Sequence, residues 1–242
     1  YKMRQADTFR LSIFILKPAF RCIFSDFSWY LFPLVLYYIV AYQSFPKGRP
    51  FAMATHPRKK RRSWGRRILL LVLLVLLAAG FFRWSNHSLQ TEYFTFTSPR
   101  LPQGFDGCTI VELTDLHGAE FGEGNQTLID AVQKLSPDYI FLTGDLLDRF
   151  RETPHSYAAD LGAAMAGIAP TYFVTGNHEW ALPDVPDLKD ALEAAGVTVL
   201  DNRFVTLERE GDTMILAGID DPNGYADQKT PEELADEVKA AA

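Results

Sequence analysis

The chain has 242 residues, 48% of them hydrophobic and 22% charged, enough for one domain of ordinary size with appendages. Its net charge of −6 conceals two regions: residues 1–84 carry 15 Lys/Arg against Asp7 and Asp26, whereas residues 85–242 are strongly acidic. An acidic domain repels phosphate backbones, so polymeric nucleic acid is not an expected partner. The only cysteines, Cys22 and Cys108, exclude a disulfide framework and a Cys-based zinc site.

Residues 1–52 form an apolar extension to which no function is assigned. Within it Phe27–Tyr42 is apolar and aromatic and broken by Pro33. It reads either as a second membrane segment or as sequence upstream of the true start. Met53 favours the latter, because a complete basic-then-apolar stretch follows it. Arg58-Lys59-Lys60-Arg61-Arg62 and Arg66-Arg67 precede an apolar run from Ile68 to Phe82, with Trp84 at its end. Residues 53–84 are therefore predicted to be a transmembrane signal-anchor. The basic cluster stays in the cytoplasm, and the domain that follows lies outside the cell membrane. An uncleaved anchor is favoured over a removed signal.

Residues 85–107 read as a linker and an edge strand around Glu92–Phe96. From Cys108 onward strands and helices alternate. Strands are predicted at 108–114, 139–143, 171–175, 204–207 and 214–217. Helices are predicted at 125–135, 156–168 and 187–195, the last closed by Gly196. Thr230-Pro231-Glu232-Glu233 has the spacing that opens another helix. Repeated βα units imply an α/β domain over 108–242.

Three of these strands run straight into polar residues of metal-ligand type. The first ends at Asp115-Leu116-His117, the second at Gly144-Asp145-Leu146-Leu147-Asp148 and the third at Gly176-Asn177-His178-Glu179. The intervals are close to one βαβ unit, and such sheets present their strand ends along one ligand-binding edge. One Asp or Asn after a strand is ordinarily a turn residue, but three such clusters in order point to a shared site. Asp115 and His117 suit one cation, Asp145 suits a bridge, and Asn177 adds a neutral oxygen. This donor set fits Mn, Fe or Zn. Two such cations clamp a phosphate and activate a water, and His178 is placed to protonate the leaving oxygen.

At these residues the chain resembles the calcineurin-like metallophosphoesterase superfamily, with its D-x-H, G-D-x-x-D and G-N-H-[DE] motifs in order. The resemblance implies a four-layer α/β/β/α sandwich and two divalent metal ions. It makes Asp115, His117, Asp145 and Asn177 metal ligands and His178 the catalytic acid or a transition-state stabiliser, with Asp148 supporting a ligand. The apolar segment before the domain, and Gly218-Ile219-Asp220-Asp221, are similar to the bacterial membrane-associated branch. That branch includes enzymes resembling UDP-2,3-diacylglucosamine hydrolases. Asp220 and Asp221 themselves read as turn residues. The family completes its site with a later His and a G-H-x-H motif, whereas no His follows His178 here. The resemblance therefore predicts a C-terminally truncated domain that binds metal weakly and is inactive. The expected partners are the membrane and a phosphorylated small molecule or lipid-linked substrate. The alternative is a non-catalytic membrane-anchored binding module that keeps a partial metal site.

Overall fold

The computed structural model describes residues 9–18, 61–86, 88–150, 153–224 and 228–241. The chain divides into two compact units, residues 19–88 and the remainder. The apolar Phe27–Tyr42, Met53 and the basic residues up to Lys60 lie outside the described residues.

The smaller unit is described by one helix, α1 (Arg61–Asn86). Its Leu-rich middle has high helix propensity. Ile68, Leu69, Leu70 and Leu71 follow one another round a full turn, and each is more than half exposed. A helix apolar on every side has no face to offer water. Its stretch Trp64–Phe81 has mean hydropathy 2.0 and no burial in protein, so α1 is long and apolar enough to cross a membrane.

The larger unit is built on a six-stranded sheet in the order β2-β1-β3-β4-β5-β6. Its strands are β1 (Phe9–Pro18), β2 (Leu89–Ser98), β3 (Cys108–Leu113), β4 (Tyr139–Leu142), β5 (Thr171–Phe173) and β6 (Thr198–Val199). Neighbours from β1 through β6 are parallel, and only β1 and β2 are antiparallel. β1 falls in the extension to which the sequence assigns no element. Its run Leu11–Leu16 pairs with β3 along six residues, and Leu16 is fully buried. A short apolar run carries no periodicity that marks it as a strand, so only its pairing reveals it.

Side chains of each central strand alternate between two cores, as the pleat requires. Val111, Leu113, Ile140, Leu142 and Phe173 face one core. There they meet α2 (Gln126–Leu135), α3 (His155–Ala166) and α5 (Val185–Ala194), which contribute Leu128, Val132, Leu161, Met165, Leu188 and Leu192. Gly162 of α3 lets that helix approach α5 closely, because a Cβ there would stand 3.1 Å from Leu192. Cys108, Ile110 and Tyr139 face the other core with Leu207 of a two-stranded antiparallel hairpin. The hairpin is β7 (Arg203–Arg209) and β8 (Asp212–Gly218). Glu210 and Gly211 at its tip both have positive φ, the conformation that tight hairpin turns demand. Two helices complete the unit: α4 (Asn177–Trp180), a single turn, and α6 (Pro231–Ala241).

Candidate metal centre

Three parallel neighbours, β3, β4 and β5, end side by side, and their carboxyl ends bring the three polar clusters together. Asp115, His117 and Asp145 all adopt the left-handed backbone conformation, with φ of 56°, 49° and 52°. Asp and His adopt it more often than most non-glycine residues do, and each such residue costs about 1 kcal/mol. Neighbouring bonds hold this strain in place. The His117 amide donates to Asp145 O at 2.7 Å, and the Gly118 amide donates to Leu146 O at 2.7 Å. The first loop is thus laced to the second.

Glycine makes the second and third loops fit. A Cβ on Gly144 would stand 2.4 Å from the Gly176 nitrogen, and one on Gly176 would strike the Asp145 carboxylate. Across this contact Asp145 Oδ1 accepts the His178 amide at 2.9 Å. Asp145 therefore bonds both flanking loops, through its backbone to His117 and through its side chain to His178.

The donors converge as well. His117, Asp145 and His178 each offer a ligand atom, all within 4.8 Å of one another. His117 Nε2 lies 3.9 Å from Asp115 Oδ1 and 4.0 Å from Asp145 Oδ2, and the two imidazole rings meet edge-on at 4.3 Å. Among the described residues, no Lys or Arg pairs with Asp115 or Asp145. Carboxylate and imidazole donors held together without a protein cation suit a divalent metal. Asn177 is half-buried in the first turn of α4, beside His178. Asp148 sits elsewhere: its Oδ1 faces His178 Nδ1 at 3.4 Å and accepts the Phe150 amide at 3.0 Å. It lies beside His178 and is not part of the three-residue cluster.

Residues 108–234 match the calcineurin-like phosphoesterase family, over half of the chain. The chain belongs to that family. The metallophosphoesterase domain is 34% identical over 127 residues to a transmembrane protein with metallophosphoesterase domain from Danio rerio. That stretch covers 50% of this chain and 29% of the fish protein. It is 29% identical over 143 residues to the uncharacterized metallophosphoesterase YkuE of Bacillus subtilis, covering 56% of this chain and 49% of that one. The chain therefore spans half or less of the length of these relatives. A solved phosphopantetheinyl hydrolase from Mycobacterium tuberculosis is 18% identical, with a TM-score of 0.32 over 55% of this chain and 50% of its own.

Two features of the metallophosphoesterase domain escape the sequence reading. The first is Glu179, which the motif contains but to which no role is assigned. Its buried carboxylate accepts the Asp145 amide at 2.8 Å, the Leu147 amide at 3.0 Å and the Gly176 amide at 2.9 Å. One side chain thereby fastens the second loop to the third. Burial raises its pKa, against the pull of those three amides. Its position three residues after Gly176, where a glutamate reaches back to the amide preceding a helix, was the available signal.

The second is Asp220, expected to be a turn residue and instead fully buried. Asp221 alone behaves as a turn residue, accepting the Asn223 amide at 2.8 Å. Asp220 accepts the Thr175 hydroxyl at 2.8 Å and the Lys189 ammonium at 2.8 Å. Lys189 also meets Asp201 at 3.0 Å and lies over the Trp180 ring. Trp180 in turn donates its indole N–H to Thr175. Burial raises the Asp220 pKa, helped by its hydrogen bond with Asp201. Burial works against the Lys189 charge, but its bonds to Asp220 and Asp201 outweigh that and raise its pKa. The network braces the residue just before Gly176. No local pattern joins Thr175, Lys189, Asp201 and Asp220, so sequence alone does not reveal it.

Proposed function

We propose that this domain is a two-metal phosphoesterase centre that hydrolyses a phosphomonoester, phosphodiester or pyrophosphate. The observation that carries the reading is the convergence of His117, Asp145 and His178 within 4.8 Å, around an aspartate that bonds one neighbouring loop through its backbone and the other through its side chain. Asp115 and His117 would hold one cation, Asp145 would serve both, and Asn177 would serve the second. Bound divalent cations supply charge neutralisation of the phosphoryl oxygens and a water acidic enough to attack phosphorus. His178 assists the leaving oxygen. The Arg149 amide lies 3.3 Å from its Nδ1, and Asp148 Oδ1 lies 3.4 Å from the same atom. The order helices, sheet, hairpin and α6 supports the four-layer sandwich.

The same reading tethers the domain to a membrane through α1, with the basic residues before it on the cytoplasmic side and the domain outside. Support comes from α1 itself and from the vertebrate relatives named as transmembrane proteins. A tethered centre favours a lipid-linked phosphoester or pyrophosphate. The apolar helix before the domain supports kinship with the bacterial membrane-associated branch.

Calorimetric titration of the whole chain in detergent with Mn²⁺, followed by assays on phosphomonoester, diester and pyrophosphate substrates, tests this. Mn²⁺ binding in the wild type that is lost in Asp145→Asn is the expected result. Asn keeps an oxygen for the His178 amide, so the loop survives the substitution. A single weak site without turnover overturns the two-metal reading in favour of the non-catalytic module with a partial centre. Two tight sites with turnover identify a complete one. Absence of Mn²⁺ binding overturns the reading.

A further inference from the structure

A cavity of about 600 Å³ opens beside His178, and no residue of the metal cluster lines it. It is lined by Arg149 and Phe150, by Thr153, Pro154 and His155 at the start of α3, and by Leu182 and Asp184. The volume lies within the range of small-molecule sites, which are mainly apolar with a few placed polar groups. Here the polar groups are Arg149 and a His155–Asp184 pair at 3.3 Å.

Phe150 has the greatest exposure, 76%, of the large apolar residues described. Packing does not account for its position, but the metal centre does. Its amide donates to Asp148, the carboxylate that faces His178, and the preceding Arg149 amide donates to His178 itself. The Phe150 ring therefore stands in register with the proposed acid. Its centroid is 5.9 Å from that of His178, with the planes at 84°. The Arg149 guanidinium sits over the ring at 4.5 Å. A ring stacked on Phe150 would lie within a few bonds of a leaving oxygen at His178. An alkyl chain in the same place would press against Arg149, His155 and Asp184, whereas a flat ring offers π faces and polar edges to them.

We propose that this cavity receives the leaving group of the substrate, and that Phe150 selects a leaving group carrying a flat ring, either aryl or nucleobase. The inference rests on the phosphoesterase reading above. It deepens that reading by placing the non-lipid portion of the substrate on the side of His178.

The test measures binding to the whole Mn²⁺-loaded chain. Phenylphosphonate and methylphosphonate present the same oxygens to metal and differ in the ring. Adenosine 5′-monophosphate and ribose 5-phosphate repeat the comparison one sugar farther out and separate nucleobase from aryl. A ring preference on the order of tenfold is expected in at least one pair, the scale of one aromatic stack. Phe150→Ala should abolish it, and Phe150→Leu, which keeps apolar bulk without a π face, should abolish most of it. Mn²⁺ titration of each variant shows that its domain is folded. Equal affinities within both pairs, or a preference that survives Phe150→Ala, overturns the inference and leaves the metal reading intact. A wild-type chain that binds no Mn²⁺ overturns both.

Discussion

Two acidic clusters follow strand ends in this domain, and they differ in how their charge is met. Asp201 and Asp220 close on Lys189, at 3.0 and 2.8 Å. That cluster carries its own cation within the protein and braces a loop. Asp115 and Asp145 close on His117, with no Lys or Arg paired to them among the described residues. Their arrangement sets two carboxylates beside one imidazole in left-handed backbone, an arrangement that a divalent cation suits. A carboxylate with its lysine is braced, whereas a carboxylate beside imidazoles and without a protein cation suits a metal ion.

The largest expected effect lies in the completed cluster. Lys189→Met leaves Asp220 buried without its cation and should cost about 3–5 kcal/mol in urea unfolding. A loss below about 1 kcal/mol would show that Asp201 and Asp220 manage their charge by sharing a proton. The open cluster should respond to metal instead. Mn²⁺ at 100 times its Kd should stabilise the wild type by roughly 2.7 kcal/mol. Asp145→Asn should show no such gain, and its metal-free form should melt no lower than the wild type. Equal protection of both chains would place the metal elsewhere.

Glu179 tests the clamp between the loops. In Glu179→Gln an amide NH₂ confronts a backbone N–H, so one of three bonds becomes a repulsion. Mn²⁺ affinity should fall on the order of tenfold, as for other groups that orient a ligand. Unchanged affinity would mean that the glycine contact alone sets the loop geometry.

The smallest effect is a control at the opposite edge of the sheet, where Cys108 opens β3. Burial, then the nearby Asp138 charge, raises its thiol pKa from 9.0 to about 12. A raised folded pKa contributes stability that is full below 9.0 and is lost as pH rises towards 12. At pH near 8, iodoacetamide should label Cys108 only on unfolding, as read by mass spectrometry of its peptide. Rapid labelling of the folded chain would show that this edge opens locally.

Much of this was legible in advance, for reasons that differ by residue. The strands at Cys108–Leu113 and Tyr139–Leu142 declare themselves by apolar runs that stop at Asp and Gly. The helix at Gln126–Leu135 declares itself by the spacing of Leu128 and Val132. The ligand-type residues stand beside these stops, so their order along the chain already implied a common edge. Where sequence reading failed, the information was not local. β1 is recognisable only by its pairing with β3. Asp220 resembles a turn residue until Lys189, from a helix earlier in the chain, reaches it.

By itself, then, the sequence determined the alternation of strand and helix, the identity of the metal-ligand types, the apolar α1 and the acidic balance of the domain. These follow from periodicity and residue chemistry, which act over a few residues. Only the tertiary structure decided that Asp145 stands at the centre, that Glu179 clamps two loops and that Lys189 pairs with one acidic cluster and not the other. It also decided that Phe150 stands over an open cavity. Each of these depends on which groups meet across distant segments, and at this strand edge such meetings determine whether a carboxylate is braced or left open for a cation.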